Sequence, residues 1–328
     1  MQTLILNTGE TAKYLDEAMA IETLDTLFRE LGTGRVVAPP KINTDMSDIG
    51  HEAWCNAMPA YLMNAKVGGI KWIGGFGENH RQNLPYIMGL IVLTDPRNGH
   101  VKSVMDAQVV STFRTGASAA VFARYLTYPD LKNILVVGAG VQGRTAVRCL
   151  HHEFPEARIY LNDLRSEQVE SFRRSVSGSL ADKLLSCNDL ARTAPDCGLI
   201  VLLTTASRPF FKNDWIAPGT TVLGMGSYQQ IEDAFALTCD KIVSDAFAQA
   251  THRGEIMPLC ESGQLGEADF YAELSNIVLG EKPGRQNKSE RILGLPIGMG
   301  AYDVAIADKV FKAAQKNNDG TLITIQEV

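Results

Sequence analysis

Hydrophobic and polar residues follow two different patterns along the chain. In the first third, apolar runs such as EAWCNAMPAYL and VGGIKWIGG predict strands. GLIVLTD and HVKSVMDA, separated by a Pro-Arg-Asn-Gly turn, predict a hairpin. One stretch, TAKYLDEAMAIETLDTLFRELGTG, has apolar residues at helical spacing and predicts a single helix that closes at its glycines. This part of the chain therefore predicts a mixed sheet with little helix.

From about residue 131 the pattern changes to strand–helix alternation. KNILVVGAG, ARIYLND, GLIVLLTTA, GTTVLGMGS and DKIVSDAF are near-continuous apolar runs, which predict a parallel sheet covered on both faces. The segment STFRTGASAAVFARYLTYPD predicts a helix whose small residues let its N-terminal end lie close to another backbone. AYDVAIADKVFKAAQKNN predicts an amphipathic helix, and GTLITIQEV a final strand that returns to the first part.

The predicted fold class is α/β, with a doubly wound parallel sheet and a second, discontinuous mixed α+β domain. The boundaries place residues 1–115 and 302–328 in the mixed domain and residues 116–301 in the parallel-sheet domain. A chain of 328 residues is long enough for two domains with separate cores.

One charged residue interrupts an apolar strand. In VGGIKWIGG, Ile70 and Trp72 would face one side of the sheet, and Lys71 and Ile73 the other. Burying an ammonium without a partner is costly. Lys71 is therefore either solvated on an edge strand or kept there to meet a negatively charged group.

A glycine-rich motif follows the first strand of the parallel sheet. Gly138, Gly140 and Gly143 form G-x-G-x-x-G between an apolar strand and a helix, which is typical of dinucleotide binding. Asp163 ends the next strand, where it can accept both ribose hydroxyls and repel a 2′-phosphate, so NAD is favoured over NADP. Arg165 is the nearby residue that could partly accommodate that phosphate. Later strand ends add four candidate cofactor contacts: Thr204, Ser207, Gly226 and Ser227.

Composition narrows the classes of partner. The net charge of −6 and the pI near 5.6 argue against nucleic acid or an anionic membrane as a general partner. The N-terminus lacks the features of a signal peptide, and no segment has the apolar length of a bilayer span, which predicts a cytoplasmic protein. The six cysteines are scattered without zinc-ligand spacing, so no metal site is predicted.

Several motifs, in this order, resemble the ornithine cyclodeaminase/mu-crystallin family: AMPAY, KWIGG, MGLIVLTDPRNG, VMDA, FRTGASA, VVGAGVQG and GLPIGMGAYDVAIA. The resemblance covers nearly the whole chain. It implies a homodimer in which the parallel-sheet domain binds NAD(P) and the discontinuous domain binds substrate and dimerises. It also implies an enzyme acting on amino or imino acids.

The resemblance assigns roles by position. Arg35, Lys71 and Arg114 match positions that hold the substrate carboxylate, and Lys71 is also the candidate proton donor. Thr115, at an apparent helix start, matches a contact to the cofactor phosphate. Val141 and Gln142 match the cofactor loop, and Met299 matches the segment near the nicotinamide. Asp303 matches a family position near the active-site segment. A helix-stabilising role for Asp303 is equally consistent with the sequence.

Two departures from the family pattern bear on the reaction. Asn56 and Tyr228 stand where the ornithine cyclodeaminases carry a glutamate and an aspartate, and both are retained here as substrate-pocket candidates. The preferred hypothesis is an NAD-dependent dehydrogenase or imine reductase for a small amino acid or amino-acid conjugate. The alternatives are an ornithine cyclodeaminase and a non-catalytic protein that binds a small molecule in a nucleotide-dependent way.

Overall fold

The computed structural model describes residues 1–325. The strands are β1 (Gln2–Leu6), β2 (Val36–Val37), β3 (Ile42–Asp45), β4 (Ala53–Leu62), β5 (Val67–Phe76), β6 (Ile87–Thr94), β7 (Val101–Asp106), β8 (Asn133–Val137), β9 (Arg158–Asn162), β10 (Leu184–Ser186), β11 (Leu199–Leu202), β12 (Thr221–Gly224), β13 (Lys241–Ser244), β14 (Ala272–Glu273), β15 (Ile292–Leu295) and β16 (Thr321–Thr324).

The helices are α1 (Thr8–Ala12), α2 (Glu17–Gly32), α3 (Ala107–Leu126), α4 (Val141–Glu153), α5 (Ser166–Ser175), α6 (Ser179–Lys183), α7 (Leu190–Thr193), α8 (Asp233–Thr238), α9 (Phe247–Ala250), α10 (Met257–Glu261), α11 (Leu274–Val278) and α12 (Gly300–Asn317). The chain divides into two compact units, Met1–Arg114 with Met299–Val328, and Thr115–Gly298.

The first unit is built on a mixed eight-stranded sheet. Its order is β16-β1-β7-β6-β5-β4-β2, with β3 also paired to β4. The pair β1–β7 is parallel and the other pairs are antiparallel. Helix α12 lies against β4, β5, β6 and α2. The predicted hairpin is present as β6 and β7, and residues 326–328 of the predicted final strand lie outside the described residues.

The predicted N-terminal helix is present as α2 and ends at Gly32 as predicted, but it starts only at Glu17, and a separate short helix, α1, precedes it. Asn7 begins α1 with a capping box, and its side chain accepts the backbone N–H of Glu10. Asp16 is extended, and its carboxylate accepts the backbone N–H of Met19 at 2.7 Å, which starts α2 anew. Asp16 is thus an N-cap inside a segment that periodicity alone treats as continuous.

The start of α12 comes very close to β4. Gly300, the first residue of α12, faces the backbone of Met58, and a Cβ at this glycine would collide with the Met58 carbonyl. Most of the following three turns of α12 are buried. The missing side chain of Gly300 therefore lets α12 sit directly on the sheet.

The second unit is the predicted doubly wound domain. Its eight strands are all parallel, in the order β10-β9-β8-β11-β12-β15-β13-β14. Every residue of β11, β12, β13 and β15 is buried, as expected for strands covered on both faces. Strand order reverses beside β8, so the carboxyl ends of β8 and β11 flank the place where such sheets bind ligands. The predicted fold class is confirmed.

Candidate functional site

Lys71 lies in the interior of the mixed sheet. Strand β5 pairs with β4 on one side and β6 on the other, so the edge-strand interpretation is wrong. Only 1% of Lys71 is exposed, whereas Trp72 is 46% exposed, which confirms the predicted alternation of the two faces. A lysine buried this deeply requires a partner for its charge.

That partner is Asp303 in the first turn of α12. Lys71 Nζ donates to Asp303 Oδ2 at 2.7 Å and lies 3.1 Å from Ser111 Oγ. Ser111 Oγ in turn donates to Asp303 Oδ1 at 3.0 Å, and Asp303 is 0% exposed. The sequence analysis did not predict this ion pair. The available signal for it was an acidic residue at a helix position flanked by apolar residues.

Arg114 adds a second cation to the cluster. Its Nε lies 3.7 Å from Asp303 Oδ1, within ion-pair range but beyond a hydrogen bond. This nitrogen is buried and has no hydrogen-bond partner among the described residues. Lys71, Arg114 and Asp303 together carry a formal charge of +1, so the cluster is suited to an anionic group.

Two other predicted substrate contacts of this unit lie differently. Arg35 is exposed just before β2. Asn56 is buried on β4, where its Oδ1 accepts a hydrogen bond from Asn43 Nδ2 at 3.0 Å. Asn56 is therefore a neutral buried amide, and the roles of both residues stay predictions.

In the second unit, the glycine-rich turn joins β8 to α4. Gly138 has φ +111°, a conformation that favours glycine, and a Cβ on Gly143 would collide with the Gly138 carbonyl oxygen. Gly140 is the N-cap of α4 and faces open space. The turn thus has the close packing and the open helix N-terminus that a pyrophosphate requires.

Val141 and Gln142 are exposed in the first turn of α4, beside this open end. Asp163 follows β9, and its Oδ2 accepts the Ala139 N–H at 2.8 Å. Its Oδ1 accepts the Arg165 N–H at 2.9 Å, while the Arg165 side chain extends into solvent. The structure thus joins the predicted ribose acceptor directly to the glycine-rich turn.

The loops after β11 and β12 hold the remaining candidates. Thr204 Oγ1 donates to Gln230 Oε1 at 2.6 Å, and Gly226 packs against the same amide. Ser227 Oγ accepts from Arg253 at 2.6 Å. Ser207 and Tyr228 are exposed. Sequence reasoning missed Gln230, which is fully buried between the two loops.

The predicted position of Thr115 at a helix start is wrong. Helix α3 begins at Ala107, so Thr115 lies buried in its middle. The close backbone approach is at Gly116, where a Cβ would be 2.9 Å from the Thr145 carbonyl of α4. Met299 is the buried N-cap of α12. The cofactor roles of Thr115 and Met299 stay predictions.

Three general features of residues 1–325 complete the description. No helix in this range is both long enough and apolar enough to cross a bilayer. Within the same described range, no three His, Cys, Asp or Glu side chains are grouped so that they could hold a metal ion. All six cysteines are free thiols.

Comparison with known proteins extends over the full length of the chain. Alanine dehydrogenase of Archaeoglobus fulgidus is 29% identical over 331 residues, covering 98% of this chain and 98% of that protein. The solved structure of an archaeal alanine dehydrogenase dimer with bound NAD has a TM-score of 0.92 at 27% identity and covers 99% of this chain and 100% of that chain. Thermococcus litoralis Δ1-pyrroline-2-carboxylate reductase, in complex with NADH and L-proline, gives 0.90 at 25% identity, with 98% and 100% covered.

A family model described as "Ornithine cyclodeaminase/mu-crystallin family" matches residues 1–318, most of the chain. This match confirms the family predicted from the sequence motifs. The chain belongs to the ornithine cyclodeaminase/mu-crystallin family.

Proposed function

We propose that this protein is an NAD-dependent oxidoreductase that interconverts a small amino acid, or an amino-acid conjugate, with its imino or 2-oxo acid. The observation that carries the proposal is the buried cluster of Lys71, Ser111, Arg114 and Asp303. The formal charge of +1 on Lys71, Arg114 and Asp303 favours the binding of an anionic group at this cluster.

In this proposal Arg114 binds the substrate α-carboxylate, because a guanidinium offers a planar fork of donors that matches a carboxylate. Lys71 adds a second positive charge and donates a proton as an imine or ketone is reduced. Asp303 and Ser111 orient the Lys71 ammonium. Arg35, at the edge of β2, is an additional carboxylate contact.

The second unit fits NAD. The open N-terminus of α4 and the close contact of Gly143 with Gly138 form a cradle for the pyrophosphate. Asp163 would accept the ribose hydroxyls, and a cleft of about 120 Å³ beside it is also lined by the acid Glu170. Two acids here disfavour a 2′-phosphate. When bound, NAD supplies the acceptor or donor of the hydride at the substrate α-carbon.

The remaining predicted cofactor residues are assigned to the same proposal. They are Thr115, Gly138, Gly140, Val141, Gln142, Arg165, Thr204, Ser207, Gly226, Ser227 and Met299. The relatives described above, an alanine dehydrogenase and a pyrroline-2-carboxylate reductase with NADH and L-proline, support an amino-acid or imine substrate.

Ornithine cyclodeamination is less well supported. Asn56 is buried and accepts a hydrogen bond from Asn43, and Tyr228 is an exposed phenol, so neither provides a carboxylate for handling a side-chain amine. The substrate contacts proposed for Asn56 and Tyr228 are accordingly polar and neutral.

We further propose a cytoplasmic homodimer that pairs through the face of the mixed sheet opposite α12. Trp72 and Leu90 are directly cross-strand neighbours on that face, exposed by 46% and 52%, and Met88 extends the same apolar patch. A second copy of the chain is the proposed occupant because the archaeal relative is a dimer. Free cysteines are consistent with a reducing compartment. Trp72→Arg should convert the dimer to a monomer in light scattering.

The central test is absorbance of NADH with a panel of 2-oxo acids plus amines, and of amino acids with NAD. We expect turnover with at least one small substrate and its loss in Lys71→Met. Tight NADH binding without any absorbance change across the panel would refute the proposal. Proline and ammonia formed from ornithine without net NADH would establish the cyclodeaminase instead.

A further inference from the structure

A buried acid and a buried amide hold the loops at the carboxyl ends of β11 and β12. Glu255 is 3% exposed, and its Oε1 accepts the backbone N–H groups of Gln230 at 2.9 Å and Ile231 at 2.6 Å. Glu255 also packs against Gly224, the last residue of β12. A Cβ added at Gly224 would lie 3.0 Å from the Cβ of Glu255. One carboxyl group thus fixes the far end of the loop that leaves β12.

The Gln230 side chain continues this connection to the neighbouring loop. Its Oε1 accepts from Thr204 Oγ1 at 2.6 Å and from the Thr204 N–H at 3.2 Å. Its Nε2 fills the space beside Gly226, where a side chain would collide with it. Neither this Nε2 nor Glu255 Oε2 has a hydrogen-bond partner within the described residues, although both are buried.

We propose that Glu255 and Gln230 are positioning residues for the dinucleotide, an inference that rests on the proposed function. Through two backbone amides and one side-chain amide, they fix the loops that carry Thr204, Gly226 and Ser227. Ligands of doubly wound sheets bind at this carboxyl edge, next to these loops. Glu255 and Gln230 do not touch the cofactor in this proposal, but they set the position of groups that do.

The charge of Glu255 should control how firmly the loops are held. Burial raises the pKa of Glu255 to about 7, against the opposing effect of its two backbone N–H partners. No charged side chain in residues 1–325 contributes to this pKa; Arg253, on the preceding turn, donates to Ser227 instead. Because burial disfavours the carboxylate more than the two N–H bonds favour it, ionisation of Glu255 near pH 7 should loosen the loops.

The experiment measures NADH binding by fluorescence between pH 5.5 and 9 for the wild type, Glu255→Gln and Glu290→Gln. We expect wild-type affinity to fall by about tenfold as the pH rises through 7, because the ionised carboxylate favours opening of the loops. Glu255→Gln should lose this pH dependence. Glu290→Gln is the matched control, since Glu290 is a buried acid of the same unit that pairs with Lys241 at 3.0 Å away from these loops.

Hydrogen exchange gives a second readout without substrate or cofactor. The backbone amides of residues 225–231 should exchange faster in Glu255→Gln than in the wild type. Those of residues 203–207 should exchange faster in Thr204→Val. The Thr204→Val variant should keep the wild-type pH midpoint of NADH binding. A wild-type pH profile in Glu255→Gln, or unchanged exchange in both variants, would overturn the positioning role. pH-dependent NADH binding without turnover would overturn only the proposed function, whereas no NADH binding would overturn both.

Discussion

Lys71 and Asp303 are 232 positions apart in the chain, yet the ammonium donates to the carboxylate at 2.7 Å with both side chains buried. Strand β5 provides the lysine and the first turn of α12 the aspartate. Ser111 bridges the two groups, and Arg114 lies on the other oxygen of the carboxylate. The ion pair therefore joins β5 to α12, and in the proposed function it also takes part in the reaction.

Removal of Lys71 tests its role as proton donor. Lys71→Met should lower kcat by about a hundredfold or more, the usual contribution of a general acid, while NADH affinity stays close to that of the wild type. Initial rates from NADH absorbance and a fluorescence titration measure both quantities. Lys241→Met is the matched control, because Lys241 is also a buried strand lysine paired with an acid, Glu290. If both variants lose kcat equally, the effect is structural.

The Lys71–Asp303 pair should show strong coupling in stability. Asp303→Leu alone removes the carboxylate that the buried Lys71 ammonium contacts at 2.7 Å and should cost about 3 to 5 kcal/mol of unfolding free energy. The double variant Lys71→Met/Asp303→Leu should be more stable than Asp303→Leu, because one uncompensated charge is removed with its partner. Urea unfolding of the four species gives the coupling energy. Additive losses would show that the two groups do not interact, and activity should stay absent in the double variant.

Arg114 should govern substrate affinity rather than cofactor affinity. Arg114→Lys keeps the positive charge but removes the planar fork, so KM for the amino acid should rise by about a hundredfold. NADH binding should be unchanged in a fluorescence titration. Arg124→Lys on the same helix replaces an arginine paired with Glu153 and should leave KM unaltered. An unchanged KM in Arg114→Lys would place the carboxylate site elsewhere.

Asp163 should determine the choice of dinucleotide. Asp163→Asn removes the negative charge at the end of β9, so the preference for NADH over NADPH should fall by about tenfold. The mutation also weakens the contact with Ala139, which makes some loss of NADH affinity expected. Dissociation constants for both nucleotides measure the ratio. Glu167→Gln, which removes an exposed acid in the first turn of α5, should not change it.

Glu255 should make the protein less stable as the pH rises from about 4.5 to about 7. Burial raises the pKa of Glu255 from 4.5 to about 7, so the folded state keeps a proton that the unfolded chain releases in this range. The expected loss is about 3 kcal/mol, complete near pH 7 and constant above it. Urea midpoints from pH 4 to 8 give the profile, and Glu255→Gln should remove this component. A difference between the two proteins that does not vary with pH would contradict the shift.

The parts of the fold that depend on local sequence could be predicted. The turn between β8 and α4 follows from glycines at fixed spacing, and the burial of Lys71 with Ile73 follows from strand alternation. The start of α3 could not be predicted from the strand pattern, because Asp106 is the last residue of β7 and its side chain also caps the helix that follows directly. In the structure Asp106 Oδ1 accepts the N–H of Gln108 at 2.6 Å, in the manner of an N-cap.

The pairings across the chain could not be predicted in the same way. Asp303 stands in an apolar helix with no local feature that identifies Lys71 as its partner. Glu255 is harder still, because Glu255 Oε1 binds the backbone N–H groups of Gln230 and Ile231, which every non-proline residue possesses. Such contacts depend on tertiary packing, which periodicity and motif spacing do not encode.

The lack of a Cβ atom at Gly300 allows the short distance between the Lys71 ammonium and the Asp303 carboxylate. Asp303 reaches β5 only because the helix that carries it starts in contact with the Met58 carbonyl. A methyl group at position 300 would lift that first turn and lengthen the ion pair one helical turn away. The small size of the residue at position 300 therefore determines how close the Asp303 carboxylate lies to Lys71, although Gly300 is not itself part of the ion pair.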